Sequence, residues 1–190
     1  MKNMKENKEN KKFSKLLEIT EIIELDNNYN RDYPDNVKNS MYDYSEDSNI
    51  VNDCLRNHNG IWNSELESKY GMNRTQFNNM VKNLDNNQIK LIEDATLYRG
   101  FNKPSSRFEI GQEIPDRGYV STSFDKGVSR YYAGEKGTIL QIDVFKGTKG
   151  VYIRQHSSRP EELEFLLPRG TKLVVYDKKG NYVYCKLKYL

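Results

Sequence analysis

The spacing of apolar residues changes at about residue 95, and this change constrains the fold more than any other feature of the chain. Before it, apolar residues recur every three or four positions, as in the run from Asn73 to Leu84. After it, apolar and polar residues alternate, most clearly from Tyr182 to Tyr189. Helices followed by strands predict an α+β fold in which the helices pack against one side of the sheet layers.

The same patterns predict where the individual elements lie. Helices are expected from Phe13 to about Asp26, as one or two segments within Asn36–Asn59, from Trp62 to Tyr70, and after a cap at Asn73. Strands, all expected to pair antiparallel, are predicted at Ala95–Arg99, Gly118–Ser123, Thr138–Val144, Glu161–Leu167, Lys172–Asp177 and Tyr182–Tyr189.

The composition of the N-terminus sets the expected domain limits. Residues 1–12 are almost all Lys, Asn and Glu, which cannot bury enough surface to offset chain entropy, so we expect a disordered arm there. Residues 13–190 are expected to form one domain, with a helical part over 13–94 and a β-rich catalytic core over 95–190. A monomer is the expected state.

Charge and cysteine content narrow the possible partners. The net charge of +3, from 30 basic and 27 acidic residues, is too small an excess to indicate nucleic acid as the obligatory partner. Cys54 and Cys185 lie far apart and lack the spacing of a zinc site, so no metal is expected. No apolar segment is long enough to cross a bilayer, and the basic N-terminus is not followed by the apolar stretch of a signal peptide.

Three short motifs follow one another along the predicted strands. They are Leu97-Tyr98-Arg99-Gly100, Tyr119-Val120-Ser121-Thr122-Ser123 and Glu162-Leu163-Glu164-Phe165-Leu166-Leu167-Pro168. Each alone has an ordinary explanation as a surface arginine, an exposed strand face or a solvated edge. Together and in this order they resemble the Arg, Ser-Thr-Ser, Glu-x-Glu signature of the arginine-type ADP-ribosyltransferase toxins.

The resemblance extends beyond these motifs, from about Asn36 to the C-terminus. Tyr44–Arg56 is similar to the helix that this family carries before its first strand, and Leu84–Gly100 is similar to the run that leads into its arginine. The family implies two small antiparallel sheets packed as a split β-sandwich around an NAD cleft, with helices ahead of them. Its toxins and effectors are soluble, and the chain is expected to act in the cytosol of a target or host cell after delivery by an undetermined route.

The Glu pair carries the expected chemistry. Two glutamates two positions apart on a strand would present both carboxylates to one face, with Leu163 and Phe165 turned into the core and Glu161 pointing to the opposite face. By resemblance, Glu164 is the catalytic carboxylate that stabilises the positive charge developing on the ribose of NAD. Glu162 would hold the guanidinium of an acceptor arginine and assist removal of its proton.

The resemblance also assigns the remaining residues of the NAD cleft. Arg99, with Gly100 beside it, is expected at the pyrophosphate, and Ser121 is expected to orient Glu164. Thr122 and Ser123 would shape the strand beside the nicotinamide. Tyr131 or Tyr132 would lie against the nicotinamide and Lys136 near a phosphate, although helix packing and an ordinary surface lysine explain these residues equally well. Tyr152 or His156 is a candidate for stacking on the acceptor, although core packing could also explain Tyr152.

The resulting hypothesis is a mono-ADP-ribosyltransferase that uses NAD as substrate, needs no metal, and modifies a protein, on arginine. Three alternatives stay open: an NAD glycohydrolase with water as acceptor, a non-enzymatic NAD- or protein-binding module of the same fold, and transfer to nucleic acid or a small molecule. A Ser/His/Asp nucleophile is not indicated, because His58 falls in the helical half and His156 in a loop.

Overall fold

The structure is a computed structural model that describes residues 20–188. The chain divides into two compact units, residues 1–31 and residues 32–190. In the first unit, residues 20–29 form helix α1, which runs a few residues beyond the predicted end at Asp26. The first part of that predicted helix and the predicted arm over residues 1–12 lie outside the described residues.

Four helices open the second unit: α2 (Asp35–Glu46), α3 (Ser48–Asn57), α4 (Ser64–Tyr70) and α5 (Arg74–Asn86). The Asn36–Asn59 region forms two helices because Asp47 leaves the helical backbone conformation and its side chain accepts a hydrogen bond from the N–H of Asn49. Helix α5 begins after Asn73, as predicted, and Asn73 and Gln76 form a reciprocal capping box.

The apolar faces of these helices pack on one side of the sheet. Met41, Tyr44 and Val51 are fully buried there. The residues on which the helices pack include Tyr119, just before β4, Val151 in β6 and Leu166 in β7. This packing explains the helical periodicity of the first half and places the helices against the β6, β7 and β4 part of the sheet.

The part of the chain that the structure describes contains nine strands: β1 (Ile89–Lys90), β2 (Ala95–Phe101), β3 (Glu113–Pro115), β4 (Val120–Ser123), β5 (Thr138–Val144), β6 (Lys149–Tyr152), β7 (Glu164–Leu167), β8 (Lys172–Lys179) and β9 (Tyr182–Leu187). Their order across the sheet is β1-β6-β7-β4-β2-β5-β9-β8-β3. Helix α6 (Lys126–Ala133) connects β4 to β5. The α+β class is therefore confirmed.

The division into two sheets is not confirmed, because all nine strands are connected by hydrogen bonds into one sheet. The pairing is weakest in the middle of this sheet, where β2 and β4 share a single paired position, Tyr98 with Ser123. The expectation of purely antiparallel pairing is wrong, because β5 and β9 run parallel. Alternation along a strand reports which face is buried and carries no information on the direction of its neighbour.

The sequence patterns differ from the structure mainly around the third motif. Residues Pro160–Glu162 form a turn of 3₁₀-helix, and strand β7 begins only at Glu164. The stretch from Val151 to Pro160 begins inside β6 and contains a second 3₁₀ turn at Arg154–His156. Within residues 20–188, no helix has the length and apolar character to cross a membrane.

Candidate active site

A polar cavity of about 410 Å³ lies where the sheet is weakest, between β2, β4 and β7 on one side and α3 with the loop before it on the other. It brings together eight of the nine residues predicted for catalysis or NAD binding: Arg99, Gly100, Ser121, Thr122, Ser123, Tyr132, Glu162 and Glu164. The ninth, Lys136, is exposed after α6 and does not line the cavity.

The three hydroxyls of the Ser-Thr-Ser motif all bind the segment that carries the glutamates. Ser121 hydrogen-bonds the side chain of Glu164. Thr122 donates to the carbonyl oxygen of Phe165 at 2.5 Å, and Ser123 donates to the carbonyl oxygen of Glu162 at 2.6 Å. Strand β4 therefore fixes the position of both glutamates, in addition to pairing with β7.

Glu164 occupies the inner end of the cavity. It is 7% exposed, and this burial raises the pKa of its carboxyl group to about 7. The nearby charge of Glu162 also raises this pKa, whereas the Ser121 hydrogen bond and the charges of Arg99 and Arg159 lower it. The carboxyl group can thus change its protonation state close to neutral pH.

A buried chain of hydrogen bonds leads from helix α3 to Glu164. The backbone N–H of Tyr119 donates to Oδ1 of Asn52 at 2.8 Å, and Nδ2 of Asn52 donates to the Tyr44 hydroxyl at 2.9 Å. The Tyr44 and Ser121 hydroxyl oxygens are 3.1 Å apart. Since Tyr44 already accepts from Asn52, its own hydrogen is free for Ser121, and the Ser121 hydrogen is then free for Glu164.

Glu162 reaches the cavity by a different route from the one predicted. It ends the 3₁₀ turn, and Leu163 then takes a left-handed conformation with φ of 46° before β7 begins. The prediction that both glutamates lie on one face of a regular strand is therefore wrong. Both side chains nevertheless line the same cavity. Leu163 and Phe165 are buried, as expected, and Glu161 is exposed.

The Glu162 carboxylate is bound by two neighbouring side chains. The Tyr132 hydroxyl donates to its Oε1 atom, and Nη1 of Arg159 lies 3.7 Å from the same oxygen. Nη1 of Arg159 also donates to the Tyr132 hydroxyl at 3.1 Å. Tyr132 therefore contacts Glu162, and its predicted place against the nicotinamide stays a prediction.

Two arginines lie deeper in the cavity. Nη1 of Arg99 donates to the carbonyl oxygen of Ser121 at 3.0 Å, and its guanidinium lies 5.0 Å from the ring centre of Phe101. Arg56 forms a bidentate ion pair with Asp116 at 2.7 and 2.9 Å. Burial lowers the pKa of Arg99, and Asp116 raises it; the guanidinium stays charged in this setting.

Gly100 is required where helix α6 crosses β2. A β-carbon at this position would lie 2.2 Å from the carbonyl oxygen of Ser129 and 2.7 Å from the backbone nitrogen of Ala133. Only glycine lets the helix backbone approach the strand this closely. Its role in the structure is to place α6, and with it Tyr132, at the rim of the cavity.

The structure separates the aromatic candidates. Tyr131 is 82% exposed and does not line the cavity. Tyr152 is 1% exposed and packs edge-on against Phe124, so the idea that it stacks on an acceptor is wrong and the core explanation is correct. His156 packs edge-on against Tyr33 at 5.8 Å between ring centres, and it does not line the cavity.

Among the cavity residues that sequence reasoning missed, Arg56, Asn52 and Arg159 make the side-chain contacts described above. The first two lie in the Tyr44–Arg56 segment, whose resemblance to a family helix indicated the segment without indicating the side chains. Arg159 lies in a turn that the patterns read as a loop, and no periodicity could have pointed to it. Its proximity to Glu162, three residues later, was the available signal.

Comparison with known proteins identifies the family of the chain. The sequence model of the family described as ADP-ribosyltransferase exoenzyme matches residues 7–183. The chain belongs to the ADP-ribosyltransferase exoenzyme family. The resemblance drawn from the three motifs is therefore confirmed, and NAD is the substrate of the enzymes of this family.

One relative is the NAD(+)--arginine ADP-ribosyltransferase EFV of Enterococcus faecalis, which is 30% identical over 146 residues. The match covers 72% of this chain and 28% of that protein, so the chain spans less than a third of the relative's length.

Within residues 20–188 no group of three or more His, Cys, Asp or Glu side chains is placed to hold a metal ion.

Solved structures of ADP-ribosyltransferases share the fold. The C3 exoenzyme of Clostridium limosum superimposes with a TM-score of 0.66 at 22% identity, over 82% of this chain and 86% of that one. The C3stau2 enzyme of S. aureus, solved with NAD, gives a TM-score of 0.61 at 19% identity over 83% and 89% of the two chains. At these identities the likeness establishes the exoenzyme fold alone.

Proposed function

We propose that this exoenzyme-family chain is a mono-ADP-ribosyltransferase that transfers ADP-ribose from NAD to an arginine of an acceptor protein and releases nicotinamide. The observation that carries the proposal is the presence of two glutamates with different environments in one cavity. Glu164 is buried and bound by Ser121, whereas Glu162 lies at the rim and already binds a guanidinium.

Glu164 suits the bond-breaking step. When the bond between the nicotinamide nitrogen and the ribose carbon breaks, the electron pair leaves with nicotinamide and positive charge develops on the ribose. A buried carboxylate, fixed by Ser121, stabilises that charge without having to reorganise. Because burial raises the pKa of Glu164 to about 7, both its charged and its protonated forms are accessible near neutral pH.

Glu162 suits the acceptor. A protonated guanidinium is a poor nucleophile, and a carboxylate beside it can orient it and accept its proton as the new bond forms. Glu162 is 19% exposed, so an acceptor side chain arriving from solvent can reach it. Its contact with Arg159 supports the proposal that this position recognises guanidinium groups.

The arginines and α6 suit the rest of NAD. Arg99 and Arg56 supply positive charge next to Gly100 and Ser121, where a pyrophosphate requires it. We also propose that the nicotinamide half of NAD binds near Ser123 and Tyr132. The proposed single domain spans residues 13–190. The acceptor would be a protein in the cytosol of a target or host cell.

An NAD glycohydrolase is the second candidate, and one contact favours it. Because Arg159 and Tyr132 already engage Glu162, an outside guanidinium has to displace them, whereas water does not. Hydrolysis would use Glu164 in the same way and would not require Glu162. The intact Arg99, Ser121 and Glu164 set favours either enzyme over a binding module of the same fold.

The test is to incubate the protein with labelled NAD and lysates of bacterial and animal cells. Wild type, Glu164→Gln and Glu162→Gln are compared, with Glu161→Gln as the matched control because that side chain is exposed in the same turn. The proposal expects a labelled protein band from wild type and Glu161→Gln and from neither of the other two. Nicotinamide release by Glu162→Gln without any band in wild type would instead establish the glycohydrolase.

A further inference from the structure

An arginine of the chain itself, Arg159, contacts the carboxylate of Glu162 at the rim of the cavity. Arg159 is 49% exposed at its side chain, and its Nη1 atom lies 3.7 Å from the carboxylate of Glu162. The Tyr132 hydroxyl, which contacts both groups, completes a three-membered cluster at the cavity rim. The guanidinium of Arg159 thus occupies the place that the proposed function gives to an acceptor arginine.

The backbone holds Arg159 at this place. The N–H of Ser158 donates to Oγ of Ser45 at 2.8 Å, which ties the turn to the end of α2. The N–H of Arg159 donates to Oγ of Ser157 at 3.0 Å, and Pro160 follows at the first position of the 3₁₀ turn. Since both ends of the contact are anchored, the guanidinium and Glu162 meet at little cost in chain entropy.

The other two arginines that line this cavity within residues 20–188 have different partners. Arg56 pairs bidentately with Asp116, and Arg99 donates to the Ser121 carbonyl and lies over Phe101. The partners of these two guanidinium groups therefore do not include Glu162. Arg159 is the one of the three whose guanidinium faces Glu162.

From this arrangement we infer that Arg159 is a site of intramolecular ADP-ribosylation, with Glu162 as its base; the inference rests on the proposed function. The bond between the ribose carbon and the nicotinamide nitrogen breaks, and its electron pair leaves on nicotinamide. A guanidinium nitrogen of Arg159 forms a bond to the same carbon and gives one proton to Glu162, from which it passes to solvent. The products are nicotinamide, a proton and ADP-ribosylated Arg159.

Modification of Arg159 would also change the enzyme. The attached ADP-ribose would stay at the rim of the cavity and add two negative charges of the pyrophosphate next to Glu162. It would therefore obstruct the entry of a second NAD and of an outside acceptor. Turnover of the purified protein should slow as Arg159 becomes modified.

The experiment incubates the purified full chain with NAD, with and without agmatine as a soluble guanidine acceptor. Intact mass measures self-modification, peptide fragmentation maps it, and agmatine labelling measures the proposed function separately. The variants are Arg159→Lys, Glu162→Gln and, as a matched control, Arg130→Lys. Arg130 is exposed on α6, bonds the Tyr182 hydroxyl and does not line the cavity.

We expect one ADP-ribose on Arg159 in wild type and in Arg130→Lys, and its loss in Arg159→Lys. Glu162→Gln should slow self-labelling by about 100-fold, the contribution typical of a general base. The rate constant should not change on dilution, because the reaction occurs within one chain.

Three results would overturn the inference. Agmatine labelling without a label on Arg159 would refute self-modification and leave the transferase intact. A rate that rises with protein concentration, or labelling of inactive Glu164→Gln by wild type, would show transfer between molecules. Absence of both agmatine labelling and nicotinamide release would refute the proposed function itself.

Discussion

At the scale of residues, the two glutamates differ because the chain changes conformation between them. The left-handed backbone at Leu163 separates a rim position in a 3₁₀ turn from a buried strand position. Glu162 is consequently accessible and paired, whereas Glu164 is buried and has a raised pKa. Two residues of the same type can then take two different roles.

Burial of Glu164 makes a prediction about stability. Its carboxyl group keeps a proton up to about pH 7 in the folded protein and up to about 4.5 in the unfolded chain. Between these values the folded state binds more protons, so stability contributed by this group is lost as pH rises. Relative to wild type, Glu164→Gln should gain about 3 kcal/mol of unfolding free energy between pH 4.5 and pH 8.

Urea unfolding of both proteins at the two pH values measures this gain, and Glu161→Gln provides the control for a surface position. A stability difference between wild type and Glu164→Gln that is the same at both pH values would contradict the buried, protonated state.

Ser121 makes a prediction about the pH dependence of activity. The proposed function requires the ionised form of Glu164, so kcat/KM for NAD cleavage should rise with pH around a midpoint near 7. The Ser121 hydrogen bond lowers the pKa of Glu164, so Ser121→Ala should move the midpoint upward by roughly half to one pH unit. The pH profile of nicotinamide release measures it, and a midpoint that moves downward would refute the assignment.

At the scale of elements, helices α2 and α3 act on the site through hydrogen bonds. Asn52 on α3 and Tyr44 on α2 are buried, with 3% and 0% of their surface exposed. Their hydrogen bonds link the backbone of Tyr119 to the Ser121 hydroxyl. The helices in front of the sheet therefore position the Ser121 hydroxyl for Glu164. In the proposed function both are positioning residues, because their hydrogen bonds run to the Tyr119 backbone, to each other and to Ser121, and not to Glu164.

Tyr44→Phe tests this role. It removes both hydrogen bonds of the hydroxyl and leaves the Asn52 amide without one partner, so Ser121 loses its fixed orientation. We expect kcat to fall about tenfold, equivalent to about 1.4 kcal/mol, with KM for NAD changed much less. A loss of folding stability with an unchanged kcat would show a structural role only.

The substitution Gly100→Ala tests how closely α6 packs against β2. The β-carbon of Gly100→Ala would collide with the backbone of the helix, so the variant should lose about 1–3 kcal/mol of stability and bind NAD more weakly. Gly127→Ala is the matched control within α6, because its β-carbon would meet only the Asp125 side chain, at 3.1 Å. Equal denaturation midpoints for the two variants would contradict the close approach of α6.

The sequence predicted these elements unevenly, for physical reasons. Thr138–Val144 was predicted with its observed limits because most of its residues are apolar and buried and Gly137 precedes it. Helix α6 was missed, since it has only eight residues, which include a glycine and two exposed tyrosines. Contacts such as Arg159 with Glu162 depend on a turn that no local pattern specifies.

At the scale of the whole molecule, the site lies at the weakest connection of the sheet. Strands β2 and β4 share one paired position, and the three motifs converge there from β2, β4 and β7. The order of the motifs could be recognised from the sequence, and with it the family. The parallel β5–β9 pair and the single strand order could not, because pairing partners far apart in the chain leave no mark on periodicity.

We propose that the Glu162 carboxylate at the cavity rim makes this protein an arginine transferase. The ratio of transfer to NAD cleavage tests this proposal. We would measure the ADP-ribose transferred to agmatine per nicotinamide released, for wild type and Glu162→Gln. We expect a high ratio for wild type and a ratio near zero for Glu162→Gln, which should still release nicotinamide through Glu164. A ratio near zero in wild type, or one unaffected by Glu162→Gln, would contradict it.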